Sequence, residues 1–253
     1  FVFLICANLI NVGVFIVGMY LLSIILPCYN ESRSIKELHQ RAVYITQNYN
    51  VEIILLNNGS TDNSWEIMNS LEKYPKIKFI KLKKNKGYGY GIKYALKYCE
   101  GNYIGWTHAD LQTDLFDVIK AYKIISNLKN KNINLALKGI RFGRPFIDRF
   151  TSHVMSLLAN TIFLTCKLRE INAQPSIFSK SIVTELGNAP DNYNFDIYAF
   201  LVAHSRNFKF VRFPVLFPKR VYGSSHWNIN FLSKIIFIFS TVQELFKLRI
   251  LLK

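Results

Sequence analysis

The sequence predicts an α/β fold in which a mostly parallel central sheet is flanked by helices. Short apolar runs recur along the chain, and amphipathic stretches long enough for helices lie between them. Strands that alternate with helices at this spacing form βαβ units. No internal repeat or low-complexity linker interrupts the pattern, so residues 19–228 are expected to form one domain. With 253 residues, half of them hydrophobic, the chain can bury a sizeable core.

Five apolar runs predict the strands of this sheet, and the first, closed by Pro27, is continuous enough to be buried on both faces. The predicted strands are Leu21–Leu26, Val51–Leu56, Ile77–Leu82, Tyr103–Thr107 and Asn134–Lys138.

Helices are predicted after each of the first four strands. Ser34 can cap a helix that runs to about Asn48, and a second helix is expected to start near Asn63. The segment Asn85–Gly91 leads into a helix that continues through Cys99, and an amphipathic helix is expected from about Asp114.

The two ends of the chain are apolar and allow two interpretations each. Residues 1–18 continue into a run long enough to span a bilayer, or they are an upstream extension before Met19. No Lys or Arg precedes the run, so it does not match a secretory signal. Residues 229–253 have apolar side chains at helical spacing with several cations. They predict an amphipathic helix that lies on an anionic membrane or packs on the sheet.

Composition restricts the partners only loosely. The formal charge of +16 suits an anionic partner: nucleic acid, acidic lipid headgroups or a phosphorylated substrate. The basic residues are spread along the chain and form no nucleic-acid recognition motif, so nucleic acid is not expected as a partner. The four cysteines form no C-x-x-C pair, which favours reduced thiols in the cytoplasm over disulfides or a zinc site.

Polar side chains follow the fourth predicted strand at the edge where α/β sheets bind ligands. His108, Asp110 and Gln112 are alternate residues, so if the chain stays extended after the strand, their side chains point to the same side. A carboxylate beside an imidazole and an amide could hold a divalent cation already carried by a diphosphate. The alternative is a polar loop in which Asp114 caps the next helix. There is no P-loop, no G-x-S-x-G elbow and no H-E-x-x-H motif, which excludes several enzyme classes.

Four motifs in order carry a family resemblance: Leu26–Glu31 (LPCYNE), Asn58–Asp62 (NGSTD), Asn85–Gly89 (NKGYG) and Ala109–Gln112 (ADLQ). With these motifs the chain resembles the family 2 glycosyltransferases of the GT-A fold over roughly residues 20–225. It is most similar to their polyprenyl-phosphate, dolichol-phosphate mannosyltransferase-like branch.

This resemblance implies a site for a UDP- or GDP-sugar with Mg²⁺ or Mn²⁺. Asp110 falls on the last acidic position of the family's D-x-D motif, which grips the metal and the diphosphate, with His108 and Gln112 as further candidate metal ligands. The candidate nucleotide-binding residues are Pro27, Tyr29, Glu31, Asn58, Asp62, Gly87, Gly89 and Ala109.

The second half of the chain extends the resemblance to the acceptor side. Arg141 follows the fifth strand, and Asp196 stands where inverting members carry an acidic residue. Arg220 opens a segment similar to the loop that closes over the diphosphate. The implied catalytic residues are Asp110, Asp196, Arg141 and Arg220, and the implied acceptor-binding residues are Arg149, Gln174, Ser224 and Trp227.

Two departures from the family pattern concern the metal and the nucleotide. His108 replaces the first aspartate of D-x-D, and Asn57-Asn58 replaces a common pair of aspartates. The expected function is inverting sugar transfer to a polyprenyl phosphate held by Arg141 and Arg149, or to a glycan hydroxyl with Asp196 as base. The alternative is a catalytically silent, nucleotide-binding member of the family. The expected location is the cytoplasm, peripheral at the membrane.

Overall fold

The computed structural model describes residues 19–128, 133–143, 146–163, 168–218 and 242–250, and residues 1–18 lie outside it. Seven strands and the helices between them make up these segments. The strands are β1 (Tyr20–Cys28), β2 (Val51–Asn57), β3 (Ile77–Lys81), β4 (Gly101–Trp106), β5 (Leu135–Phe142), β6 (Ser176–Ser179) and β7 (Lys209–Leu216). The helices are α1 (Ile35–Asn48), α2 (Ser64–Ser70), α3 (Tyr88–Leu96), α4 (Asp117–Leu128), α5 (Phe146–Phe163), α6 (Val183–Leu186), α7 (Phe195–Ser205) and α8 (242–250).

The strands form one sheet in the order β3-β2-β1-β4-β6-β5-β7. Strands β1 to β4 pair in parallel, and β5 pairs in parallel with β7. Strand β6 runs antiparallel to both of its neighbours, β4 and β5. The carboxyl ends of the six other strands therefore meet at one edge of the sheet, where the candidate site lies.

Each face of the sheet carries its own apolar core. Leu22, Ile24 and Leu26 of β1 are fully buried on the face that α1 and α4 cover. On the other face, Ile25 and Trp106 pack with residues of α3 and α7. Burial on both faces explains why the strands are continuous apolar runs rather than alternating ones.

The five predicted strands are confirmed, with differences at their ends. Strand β5 continues past the predicted end at Lys138 to Phe142, because the Lys138 side chain is buried in the sheet face. Helix α3 ends at Leu96 instead of Cys99, and α4 begins at Asp117 rather than near Asp114. Helix α1 starts directly after Ser34 and ends at Asn48, as predicted, but the Ser34 side chain makes no cap hydrogen bond and donates to the Ala109 carbonyl at 2.8 Å.

A buried carboxylate of β2 links that strand to three others, β1, β3 and β4, near their amino ends. Glu52 of β2 is fully buried and accepts a hydrogen bond from Ser23 Oγ of β1 at 2.5 Å. It also accepts the Glu100 backbone N–H just before β4, and its Oε2 pairs with Lys78 Nζ of β3 at 2.9 Å. Although burial opposes the charge, hydrogen bonds to Glu100 and Glu52 raise the pKa of Lys78. We call these four residues, Ser23, Glu52, Lys78 and Glu100, the Glu52 network.

Helix α8 packs on the domain through part of its surface. Leu245 and Leu248 are buried in the core beside α3 and α7, whereas Phe246 and Ile250 are exposed. The predicted amphipathic helix therefore contacts the domain, while residues 229–241 and 251–253 lie outside the described ones. Within the described segments, no helix combines the length and apolarity that crossing a bilayer requires.

The cysteines that the structure describes are free thiols, as expected. Cys28 and Cys99 are both buried, and burial raises the pKa of each thiol well above its usual value.

Candidate active site

The loops after β1 and β2 are bound to each other at the carboxyl edge of the sheet. Asn30 adopts a left-handed backbone conformation with φ 57°, and its Oδ1 accepts the Thr61 N–H at 2.8 Å. In return, the Asn30 N–H donates to Ser60 Oγ at 3.1 Å. These bonds fix the segment that contains Tyr29 and Glu31 against the segment that contains Asn58 and Asp62. Two of the four resemblance motifs thus form a single wall.

Asp62 holds this wall together from within. Its carboxylate accepts the backbone N–H groups of Ser64 at 3.0 Å and Ser32 at 3.3 Å. Burial alone would raise the pKa of Asp62, but these hydrogen bonds have the larger effect, and the pKa of Asp62 is lowered. Tyr29 is 44% exposed, whereas Pro27 is half-buried near the end of β1.

The third motif connects this wall to the acceptor half of the domain. Asn58 is buried, and its side-chain N–H donates to the Gly87 carbonyl at 3.2 Å. Gly87 has φ 117°, and a Cβ there would lie 2.3 Å from the Asp191 carbonyl. Gly89 lies within α3, where a Cβ would lie 2.2 Å from the Pro190 carbonyl. Both glycines therefore permit the close approach of the 190–191 backbone.

The fourth motif turns sharply after β4. Asp110 is only 8% exposed, and its Oδ1 accepts the Gln112 N–H at 3.0 Å. This is an Asx turn, and Leu111 at its centre has φ 58°. The Ala109 carbonyl accepts the Ser34 hydroxyl, so the turn is anchored to the start of α1.

The chain leaving β7 crosses over this turn. Gln112 Nε2 donates to the Pro218 carbonyl at 3.3 Å, and the His108 ring contacts the Phe217 ring edge-on with 6.2 Å between centroids. The Arg141 guanidinium lies 5.2 Å from the centroid of the same Phe217 ring, and its Nε pairs with Glu170 at 2.7 Å. The structure thus brings His108, Gln112 and Arg141 together around residues 217–218.

Asp196 of α7 lies in a buried network beside β4. Its carboxylate accepts Trp106 Nε1 at 2.7 Å and lies 3.3 and 3.4 Å from Gln174 Nε2. Gln174 Nε2 also donates to the Tyr88 hydroxyl at 2.9 Å. Burial and the Asp196 carboxylate both raise the pKa of Tyr88. Asp196 itself is 5% exposed and lies in the first turn of α7, where the helix dipole favours a negative charge.

A polar row, which sequence reasoning missed, crosses the sheet beside Asp196. Trp106, Ser176, Lys138 and Arg212 are directly opposite one another in the registers of β4, β6, β5 and β7. Lys138 is fully buried, and its Nζ donates to Ser176 Oγ at 2.7 Å. Burial lowers the pKa of Lys138 to about 8, although the Asp196 carboxylate acts against this shift. The only sequence signal was a lysine within an apolar run.

Several predicted site residues lie outside this description. Arg220, Ser224 and Trp227 fall in 219–241, outside the described residues, although Arg220 is two positions beyond Pro218. Arg149 lies in the first turn of α5, where the structure describes the backbone alone.

The donor set around Asp110 is small. Among the described residues, no group of three or more His, Cys, Asp or Glu side chains could hold a metal ion. His108, Asp110 and Gln112 supply one imidazole nitrogen and two kinds of oxygen donor. This set fits a divalent ion that takes its remaining ligands from a bound diphosphate, as Mg²⁺ and Mn²⁺ do when few protein groups hold them.

Solved structures place this architecture in a known class. Glucosyl-3-phosphoglycerate synthase from Mycobacterium tuberculosis, solved with Mn²⁺, UDP and phosphoglyceric acid, matches with a TM-score of 0.64. The match covers 91% of this chain and 78% of that one. At 16% identity this likeness concerns the fold. The chain therefore has the GT-A fold of nucleotide-sugar transferases, as the sequence predicted.

The family follows from the sequence match. The model of glycosyl transferase family 2 matches residues 23–149, which is half of the chain and contains all four motifs. The chain belongs to glycosyl transferase family 2.

Its curated relatives are mostly longer proteins. Dolichol-phosphate mannosyltransferase from Pyrococcus furiosus is 29% identical over 212 residues, which cover 80% of this chain and 58% of the relative. Poly-beta-1,6-N-acetyl-D-glucosamine synthase from Staphylococcus epidermidis is 25% identical over 177 residues, covering 66% of this chain and 41% of the relative. An uncharacterized glycosyltransferase from Rickettsia conorii is 38% identical over 93 residues, which cover 36% of this chain and 15% of the relative.

Proposed function

We propose that this protein is an inverting glycosyltransferase that moves a sugar from a nucleotide diphosphate sugar to a polyprenyl phosphate. The observation that carries the proposal is the position of Asp110. It is a nearly buried carboxylate, held in a fixed turn after the central strand β4, beside the wall that the β1 and β2 loops build. A charged oxygen held there suits the metal-bound diphosphate of a sugar donor.

The nucleotide would lie against the loops that follow β1 and β2. Tyr29 supplies an exposed ring for the base, and the Asn30 and Asp62 hydrogen bonds keep the loop shape fixed before a ligand binds. His108, Asp110 and Gln112 would hold the divalent ion. When bound, the ion would neutralise the leaving diphosphate and orient it.

The environment of Asp196 favours an acceptor that is already ionised. A general base must reach the acceptor proton, yet Asp196 is buried and its carboxylate is occupied by the Trp106 and Gln174 side chains. A phosphate acceptor needs no base, and Arg141 near Phe217 supplies a cation at the site edge. We therefore favour a polyprenyl phosphate over a glycan hydroxyl and assign Asp196 to positioning Gln174.

A membrane-borne acceptor is consistent with the surface of α8. Phe246 and Ile250 are exposed on this helix while Leu245 and Leu248 are buried, and Lys247 is among its exposed cations. Apolar side chains beside cations are typical of helices that lie on anionic membranes. The protein would then act as a peripheral enzyme at the cytoplasmic surface.

The direct test is a transfer assay with UDP- and GDP-sugars, polyprenyl phosphate in detergent, and Mg²⁺ or Mn²⁺. Product formation is expected with one donor. In parallel, a thermal-shift screen measures whether the same donors raise the melting temperature, because a ligand that binds the native state stabilises it. Stabilisation by a donor without turnover of any acceptor would instead support the catalytically silent alternative.

Asp196→Asn is expected to change the rate of transfer to a polyprenyl phosphate by less than about tenfold. Removing a general base typically costs a factor of about 10² to 10⁴. Asparagine keeps an oxygen that can accept from Trp106 Nε1. The assay compares kcat in wild type and variant, with melting curves to verify folding. A loss of a thousandfold in the folded variant would return Asp196 to the role of base.

His108→Asp is expected to lower the Mg²⁺ concentration for half-maximal activity about tenfold and to change the Mn²⁺ requirement less. Carboxylate oxygen is a harder ligand than imidazole and adds a negative charge, and both favour Mg²⁺. Metal titrations of activity are compared with calorimetric titrations in the presence of UDP, which need no turnover. Identical Mg²⁺ titrations in both proteins would exclude His108 as a ligand.

A further inference from the structure

A cavity separate from the candidate active site lies at the outer edge of the sheet. It has a volume of about 280 Å³ and is lined by Phe200, His204, Asn207, Phe208, Phe210 and Arg212. These residues come from the last turns of α7, the turn after it and the first half of β7. The active site lies at the other end of β7, next to Phe217 and Pro218.

One face of the cavity is aromatic. The Phe200 and Phe210 rings contact each other with 4.6 Å between centroids, and His204 lies 6.3 Å from Phe210. The Arg212 guanidinium lies over Phe200, with 5.6 Å from its Cζ to the ring centroid. Phe200 is buried, so the apolar surface that the cavity offers comes mainly from the half-buried Phe210, beside the planar cation of Arg212.

The Arg212 guanidinium does not use all of its hydrogen-bond donors. Within the part of the chain that the structure describes, the buried Nη1 of Arg212 has no hydrogen-bond partner. The carboxylate whose charge acts most on Arg212 is that of Glu170, and it is paired with Arg141 Nε at 2.7 Å. A buried charged donor without an acceptor costs more free energy than most native contacts supply. Because Nη1 is enclosed, a ligand in the cavity would bond to the other N–H groups of the half-buried Arg212 side chain, which lines the cavity.

We propose that this cavity binds a small oxyanion, a carboxylate or a phosphate, through Arg212. The guanidinium fork matches two oxygens of either group, and it remains charged at physiological pH. His204 and Asn207 at the cavity wall offer further donors, and the half-buried Phe210 ring suits an apolar body attached to the anion. At this volume the cavity takes a compact molecule rather than a nucleotide sugar.

The site is also placed to influence the acceptor side. Arg212 is the neighbour of Lys138 in the polar row, and its charge is one of the causes that lower the pKa of Lys138. An anion bound to Arg212 would offset the positive charge of its guanidinium. This would change the electrostatic environment of the buried Lys138, Ser176 and Asp196 side chains.

The test compares the melting temperatures of wild type, Arg212→Gln and Lys209→Gln in sodium phosphate, sodium benzoate and sodium chloride at equal ionic strength. Lys209 is an exposed cation on the same strand and serves as the matched control. In wild type and Lys209→Gln, phosphate or benzoate at ten times its Kd should raise the melting temperature by about 4 °C above chloride. The anion that acts distinguishes a phosphate from a carboxylate ligand.

Arg212→Gln should lose this rise and should melt in chloride no lower than wild type, since a half-buried charge with an unpaired Nη1 is gone. Calorimetric titration with the active anion should show at least tenfold weaker binding to Arg212→Gln. A rise of equal size in Arg212→Gln would place the anion elsewhere, including the active site, and would overturn the proposal. So would the absence of any rise over chloride in wild type. None of these measurements requires transfer activity.

Discussion

Replacing Asp110 by asparagine is expected to slow sugar transfer about a thousandfold while leaving the fold intact. Asparagine keeps the oxygen that accepts the Gln112 N–H, so the Asx turn after β4 should persist. What would disappear is the negative charge that we propose faces the metal and the diphosphate. Loss of such an interaction in the transition state costs several kcal/mol, and about 4 kcal/mol corresponds to a thousandfold in rate.

Asp114→Asn is the matched control for this experiment. Asp114 lies four residues further on, is exposed, and pairs with Arg41 at 2.7 Å on the surface. Exposed ion pairs contribute little, so its transfer rate should stay within about twofold of wild type. The measurements are kcat with saturating donor and the melting temperature of each variant. If the folded Asp110→Asn protein transfers sugar at the wild-type rate, Asp110 does not hold the donor.

The largest expected loss of stability follows from Glu52→Ala. Removing one partner of a buried ion pair typically costs about 3 to 5 kcal/mol. The lower end is expected here, because Lys78 is partly exposed and keeps its ion pair with Glu100. Here Ser23 Oγ, the Glu100 N–H and Lys78 Nζ would lose their shared acceptor. For a domain of this size, that corresponds to a fall in melting temperature of roughly 10 °C.

Glu66→Ala tests whether this loss is specific to the Glu52 network. Glu66 is an exposed carboxylate in the first turn of α2, and its removal should cost less than about 1 kcal/mol. Urea unfolding of both variants gives the free energies directly. A cost below 1 kcal/mol for Glu52→Ala as well would mean that the network contributes no net stability.

The donor half of the site could be predicted because each of its motifs follows a continuous apolar run. Such runs become parallel strands buried on both faces, and their carboxyl ends meet at one edge. The loops that carry Glu31 and Asp62 therefore lie against each other at this edge, while the binding roles of these residues stay predictions. The hydrogen bonds of these motifs could not be predicted from the sequence. Asp62 and Asn58 bond to backbone groups that lie within reach only once the loops have packed together.

The acceptor half was harder to predict, for identifiable physical reasons. Strand β6 has only four residues, too few to show a period, and it becomes a strand because β4 and β5 pair with it on both sides. Strand β7 contains Pro214, which is tolerated because β7 lies at the sheet edge. Lys138 suggested the end of a strand, whereas its buried partner Ser176 comes from a distant part of the chain.

The antiparallel insertion of β6 also sets the order in which the sheet can be completed during synthesis. All partners of β1, β2 and β3, and the inner partner of β4, lie within residues 20–106, so these four strands can assemble as soon as this part leaves the ribosome. The outer edge of β4 must wait for its partner, because Tyr103 pairs with Ser179. At typical rates of translation, the intervening residues take roughly 4 to 15 s to emerge. During that interval the nascent chain exposes an unpaired parallel edge, which is the kind of surface that chaperones must shield from other chains.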